Sequence, residues 1–120
     1  MENPMAPDAG PGGEVLMRLQ AVLEARRSAD PDSSYVARLC AGAPDAILRK
    51  IGEEAVELVL AARDADSAAV ISETADLWFH TLVLLVSRGL DVGQVLAELE
   101  RRFGTSGITE KAARGRGAAT

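Results

Sequence analysis

The sequence predicts an all-α protein, an antiparallel helical bundle, and three observations carry that prediction. Apolar residues recur at three- and four-residue spacing in several separate stretches. Aromatic residues make up only 3% of the chain, so its 48% of hydrophobic residues are mainly aliphatic. No two stretches of alternating polarity flank a hairpin turn. Ala and Leu are strong helix formers, whereas strands draw on β-branched and aromatic side chains. The 120 residues allow one hydrophobic core and leave too little chain to close a second.

Taken in order, residues 1–13 read as a disordered tail, because Pro4, Pro7, Gly10, Pro11, Gly12 and Gly13 interrupt any regular structure. Residues 14–114 form the folded domain. From Glu14, the apolar positions Val15, Leu16, Leu19, Val22 and Leu23 give one helical face up to about Arg27. Asp30-Pro31-Asp32 ends it. Ser33 or Ser34 can cap a short second helix through Leu39, which Gly42 closes. Pro44 suits a first helical turn, and a third helix runs from there to about Arg63. Asp64-Ala65-Asp66-Ser67 is a tight connection that also caps a fourth helix, about Ala68 to Arg88, ended by Gly89. Asp91 caps a fifth helix to about Phe103. A short last helix ends near Arg114, and residues 115–120 should fray. The third and fourth helices are the central antiparallel pair.

Charge narrows the function classes. Thirteen basic against eighteen acidic residues give a net charge of −5, which argues against a general nucleic-acid binder. The single cysteine, Cys40, excludes an internal disulfide and a four-cysteine zinc site, and its expected role is a small packed side chain. The longest uninterrupted apolar run, Leu77 to Val86, is about half of a membrane span and contains His80, so no membrane partner is expected. The N-terminus has no basic segment ahead of an apolar run, so a cytoplasmic setting is the expectation. The Gly10-Pro11-Gly12-Gly13 run lacks the Gly-Lys-Ser/Thr and the preceding strand of a phosphate-binding loop.

The charges on the third and fourth helices carry the most information. At about 100° per residue, Lys50, Glu53, Glu54 and Glu57 share one narrow arc of the third helix. Ile51, Ala55, Val56, Leu58, Val59 and Leu60 make the rest of that stretch apolar, where a surface helix has a broad polar face. Glu73, Asp76 and His80 form a similar strip on the fourth helix. If the helices pack antiparallel, the strips face each other and gather Glu53, Glu54, Glu57, Glu73 and Asp76. Crowded carboxylates repel or raise one another's pKa values, so a cation is expected among them. Oxygen ligands without cysteine suit Mg2+, or Mn2+, better than zinc or copper. Magnesium held this way most often meets a substrate phosphate. Arg101, Arg102, Lys111, Arg114 and Arg116 are late cations available to such an anion, and Gly104-Thr105-Ser106-Gly107 offers backbone N–H groups. The plain alternative is two solvated acidic faces, with Lys50 pairing Glu54 at four-residue spacing.

These residues carry a family resemblance. The stretch Lys50-Ile-Gly-Glu-Glu-Ala-Val-Glu57, followed by Glu73-Thr-Ala-Asp-Leu-Trp-Phe-His80, resembles the paired acidic motifs of the all-α nucleoside-triphosphate pyrophosphatases. Ser34-Tyr35, the run Asp76-Leu-Trp-Phe-His80-Thr-Leu-Val and the ending Arg102-Phe-Gly-Thr-Ser-Gly-Ile-Thr-Glu-Lys111 narrow it to the phosphoribosyl-ATP pyrophosphatases. The similarity spans about Val15 to Arg114. Trp78-Phe79 and Arg49 depart mildly from the family pattern. The resemblance implies hydrolysis of 1-(5-phosphoribosyl)-ATP to 1-(5-phosphoribosyl)-AMP and pyrophosphate, the second step of histidine biosynthesis, with Mg2+. It implies metal ligation by Glu53, Glu54, Glu57, Glu73 and Asp76, with one carboxylate of Glu53, Glu54 or Glu57 acting as base. Lys50, Arg102 and Lys111 become the phosphate contacts. His80 either orders a carboxylate behind the metal or fills a buried polar gap. Trp78 and Phe79 are assigned to core or interface. Helices this apolar all round imply a homodimer, which agrees with the family. Two rivals share the pattern: a house-cleaning pyrophosphatase acting on other (deoxy)nucleotides, and a non-catalytic helical scaffold whose acidic strip binds a basic partner.

Overall fold

A computed structural model of the chain describes residues 11–103, and side chains from Glu14 onward. Residues 1–10 of the expected tail, Lys111, the short last helix and residues 115–120 lie outside the described residues. The described residues form five helices: α1 (Pro11–Arg26), α2 (Tyr35–Ala41), α3 (Asp45–Arg63), α4 (Ser67–Ser87) and α5 (Val92–Phe103). No strand occurs among them.

Helix α1 begins at Pro11, three residues ahead of Glu14, and so takes in part of the expected tail. Proline suits a helix start, where its fixed φ is already helical and its missing N–H has no partner to lose. After α1 the chain turns on Asp30, whose carbonyl accepts from the Ser33 and Ser34 N–H groups. Ser34, rather than Ser33, is the cap of α2: its Oγ accepts from Ala37 N–H at 3.1 Å. Gly42 ends α2, and a Cβ there would stand 3.0 Å from the Ala46 Cβ, so the α2–α3 corner is closed over it.

The α3–α4 hairpin fixes the register of the molecule. Ala65 sits at φ 57°, and the Ala65 and Asp66 N–H groups bond the Ala62 and Ala61 carbonyls at 3.1 and 3.2 Å. This pattern closes a helix around a left-handed residue, usually glycine. Asp66 then caps α4 by accepting from Ala69 N–H at 3.1 Å. The far end of α4 is closed in the same way by Gly89 at φ 69°, with Leu90 N–H on the Leu85 carbonyl at 2.8 Å. Arg27 Nη1 donates to the Val86 carbonyl at 2.8 Å, tying the end of α1 to the last turn of α4.

Helices α1 and α2 pack on this hairpin. The core holds Leu23, Val36, Leu39, Ile47, Leu82, Val83 and Val86. Burying each large side chain contributes about 1.5–3 kcal/mol. Much of the apolar surface of α3 and α4 is nevertheless exposed in the single chain, including Val56, Val59, Ile71 and Trp78. Trp78, at 58% exposure, is therefore not a core residue. By length and composition alone α4 is long and apolar enough to cross a membrane. It also carries Glu73, Asp76 and His80, and it packs against α3.

Among the described residues, those from Asp91 to Phe103 belong to a second compact unit. Asp91 Oδ1 accepts from Gly93 N–H at 2.6 Å, and Gln94 Oε1 accepts from Asp91 N–H at 2.9 Å, a reciprocal cap at the start of α5. Within α5, Arg101 and Arg102 both bond Glu98 and hold its carboxyl well below the usual range.

The Ala65 conformation yields a measurable consequence. Ala65→Gly relieves a left-handed φ at a position where a Cβ is unfavourable, and should stabilise the protein by about 0.5–1 kcal/mol in urea unfolding. Destabilisation instead would mean that the turn is not held in this conformation.

Candidate active site

The hairpin register creates the site. Glu57 and Glu73 lie eight residues on either side of Ala65, so the antiparallel pair sets them opposite each other. Glu54, one turn before Glu57, joins them. One carboxylate oxygen from each of Glu54, Glu57 and Glu73 lies within 4.8 Å of the others. Glu54 is buried, Glu73 half-buried and Glu57 exposed, so the cluster opens to solvent on one side.

The other two expected carboxylates do not enter this group. Glu53 is exposed and bound by Lys50 Nζ at 3.4 Å, and Asp76 is exposed one turn further along α4. Lys50 also lies 3.8 Å from Glu54. Glu53 and Glu57 border an open groove on α3 together with Leu48, Arg49, Gly52 and Val56.

Two oxygens in the cluster have no partner: Glu54 Oε2 and Glu73 Oε2 are both buried and make no hydrogen bond. Buried acceptors left unpaired are costly, more so when they carry charge. Glu73 answers part of that cost by holding its proton. A hydrogen bond with Glu57, burial, and the charges of Glu57 and Glu54 push its pKa up to about 7. A divalent cation fits the same place, because it would satisfy both unpartnered oxygens and remove the repulsion. All the donors are hard oxygens, which favours Mg2+ or Mn2+ over thiophilic metals.

His80 is buried, and both ring nitrogens are engaged. Nδ1 lies 2.8 Å from the Asp76 backbone carbonyl, and Nε2 lies 2.8 Å from the Tyr35 hydroxyl. Of the two readings the sequence left open, a carboxylate and a buried polar gap, the ring takes the second: it bonds the Tyr35 hydroxyl and the Asp76 backbone carbonyl. The Tyr35 ring also stacks with Phe79 at 6.5 Å. Sequence reasoning gave Tyr35 no role. Its contact with His80 joins residues 45 positions apart, which no helical periodicity reveals, and only its place in the Ser34-Tyr35 pair marked it out. Burial pushes the Cys40 thiol up, in keeping with a packed side chain rather than a nucleophile. Arg102 belongs to the second unit, where it pairs with Glu98. Lys111 lies outside the described residues.

A family model, phosphoribosyl-ATP pyrophosphohydrolase, matches residues 16–103. The chain belongs to the phosphoribosyl-ATP pyrophosphohydrolase family. It is thus an all-α member of a family of hydrolases, and the acidic hairpin lies inside the matched region. Curated relatives named phosphoribosyl-ATP pyrophosphatase match most of the chain. That of Variovorax paradoxus (strain S110) is 57% identical over 108 residues, covering 84% of this chain and 86% of the relative. That of Methylibium petroleiphilum is 56% identical over 103 residues, 86% of each chain. That of Paracidovorax citrulli is 53% identical over 119 residues, 93% of this chain and 87% of the relative.

The electrostatics of this pyrophosphohydrolase hairpin predict a pH dependence. Between pH 4.5 and about 7 the folded chain keeps a proton on Glu73 that the unfolded chain releases. The folded state then binds more protons, so stability falls as pH rises through that window and levels off above it. Without metal, the thermal midpoint should decline across this range, and Glu73→Gln should flatten the decline. An equal decline in that variant would contradict the assignment.

Proposed function

We propose that the chain hydrolyses 1-(5-phosphoribosyl)-ATP to 1-(5-phosphoribosyl)-AMP and pyrophosphate, the second step of histidine biosynthesis, as a cytoplasmic, Mg2+-dependent homodimer. The observation that carries the chemistry is the Glu54–Glu57–Glu73 cluster with its two unpartnered buried oxygens. The substrate class rests on the family and on relatives more than half identical that bear the name.

Glu54, Glu57 and Glu73 would hold the metal, with Glu53 and Asp76 flanking them on the same strips. Bound magnesium supplies charge neutralisation on the phosphates and on the leaving pyrophosphate. The chain's own groups do the rest. Lys50 stands at the rim of the cluster, where its ammonium meets a phosphate oxygen once the nucleotide draws it from Glu53. The groove beside Glu53 and Glu57 offers Arg49 to an anion and Leu48 and Val56 to an apolar surface. A carboxylate at the open side, Glu53 or Glu57, accepts the proton from the attacking water as the α–β phosphate linkage breaks. Nothing among the described residues of the site resembles a phosphate loop, so recognition there falls to side chains.

The exposed faces of α3 and α4 support the dimer. Val56, Val59, Ile71 and Trp78 are each more than half exposed in the single chain, a large apolar area for a monomer. A second copy covering this surface would keep those faces from water and wall the groove.

Three measurements check this reading. Pyrophosphate release from phosphoribosyl-ATP should require Mg2+ and stop with chelator; faster release from a deoxynucleotide would favour a house-cleaning role instead. Glu57→Gln and Asp76→Asn should each lower turnover by about 100-fold or more, while the thermal midpoint holds in Asp76→Asn and holds or rises in Glu57→Gln, where a repulsive charge is gone. Loss of the fold in these variants would indicate a structural ion network. Light scattering should give the mass of two chains for the native protein, and Val59→Glu should shift it toward one. A native monomer would remove the dimer from the account.

A further inference from the structure

A glycine inside α3 has no use within the described chain. Gly52 lies between Leu48 and Val56, one turn away on either side. Glycine in a helix interior is destabilising relative to alanine, because its backbone loses the most freedom on folding. Elsewhere the reason for a glycine stands beside it. Gly89 has a positive φ, and a Cβ on Gly42 would stand 3.0 Å from the Ala46 Cβ. Gly52 has neither reason: it is exposed, its φ is not positive, and nothing lies within 4 Å of where a Cβ would be. A helical glycine beneath open space suits a place where another molecule comes close to the backbone.

That space is part of a groove. The hollow bordered by Gly52, Glu53 and Glu57 has a volume of about 450 Å³. A second, of about 520 Å³, lies toward the α2–α3 corner with Asp45 on its wall, and Leu48 and Arg49 line both. Each is the size of a small-molecule site, roughly 300–1,000 Å³. The groove thus leads from Glu57, in the carboxylate cluster, past Gly52 to Arg49. At about 1.5 Å per residue, Glu57 and Arg49 lie about 12 Å apart along the helix axis. Leu48 and Val56 are exposed apolar walls on either side of the glycine. Arg49 has Asp45 one turn before it and Glu53 one turn after it. It pairs with neither, and Glu53 bonds Lys50 instead.

Resting on the pyrophosphohydrolase reading above, we propose that Gly52 and Arg49 recognise the substrate beyond its triphosphate: the purine lies over Gly52 between Leu48 and Val56, and the Arg49 guanidinium binds the phosphate of the second ribose. 1-(5-phosphoribosyl)-ATP carries a triphosphate on one ribose and a monophosphate on the other, with the purine between them. With the triphosphate at the carboxylates, the purine and then the second phosphate follow in order along the groove. A guanidinium without a carboxylate partner is free to grip that phosphate with two parallel N–H groups. An ordinary nucleoside triphosphate reaches Gly52 and leaves Arg49 unused, so Arg49 separates this substrate from other nucleotides.

Three probes, each with Mg2+, test the order of contacts: inorganic pyrophosphate meets the cluster alone, ATP adds the purine, and phosphoribosyl-ATP adds the second phosphate. Gly52→Ala places one methyl group in open space, so it should raise the thermal midpoint by several degrees. It should also raise the calorimetric Kd for ATP and the KM for phosphoribosyl-ATP by about five- to tenfold, with pyrophosphate affinity unchanged. Arg49→Met should raise the KM for phosphoribosyl-ATP by about tenfold, with a smaller change in kcat, and leave the Kd values for ATP and pyrophosphate as they were. Unchanged ATP affinity in Gly52→Ala would overturn the inference. So would a Gly52→Ala protein that loses its native mass in light scattering, since the glycine would then serve contact between chains. Equal weakening of all three probes in Arg49→Met would reduce that residue to a general attraction for anions and overturn its role. If phosphoribosyl-ATP binds the native chain but is not hydrolysed, the reaction reading fails, and its Kd in the two variants still decides this one. A native chain that binds none of the three probes overturns both.

Discussion

Three carboxylates from two apolar helices are forced together, and two of their oxygens are buried without a partner. That arrangement is unfavourable by itself, and the rest of the molecule can be understood as what imposes and relieves it. The hairpin imposes it. The left-handed Ala65 and the Asp66 cap set the angle and register at which α4 returns along α3, and that register sets Glu73 opposite Glu57. Relief without metal comes from a retained proton on Glu73 and from Lys50 at the rim. Both are groups that a divalent cation and a phosphate would replace.

The sequence revealed the features that depend on neighbours along a helix. Ser34, Asp66, Gly89 and Asp91 act at helix ends as their types predict, and the helix ends they mark fall within a residue or two of those observed. The two acidic strips were legible for the same reason, since helical periodicity alone places Glu53, Glu54 and Glu57 together, and likewise Glu73 and Asp76. Which of the five meet was not legible. A strip about 100° wide cannot say which members point across a helix pair and which point along it, and the packing leaves Glu53 and Asp76 to solvent. The Tyr35–His80 contact was hidden too, because it depends on how α2 lies against α4. An alanine in the left-handed conformation was equally silent, since its composition signal is that of any helix.

The apolar surface has a similar lesson. Periodicity marked α3 and α4 as helices meant for burial on nearly every side. In one chain, Ile47, Ala61, Leu82, Val83 and Val86 go inside, while Val56, Val59, Ile71 and Trp78 remain outside. Hydropathy counts apolar faces and does not say which of them a single chain buries.

Manganese titration followed by electron paramagnetic resonance tests the central claim most directly. The account predicts saturable binding to the native chain that weakens as pH falls below 7, competition by Mg2+, and loss of the site in Glu54→Gln and in Glu73→Gln, each still folded. Manganese that stays free in solution beside the native chain, or that binds the two variants as tightly as the native one, would contradict it.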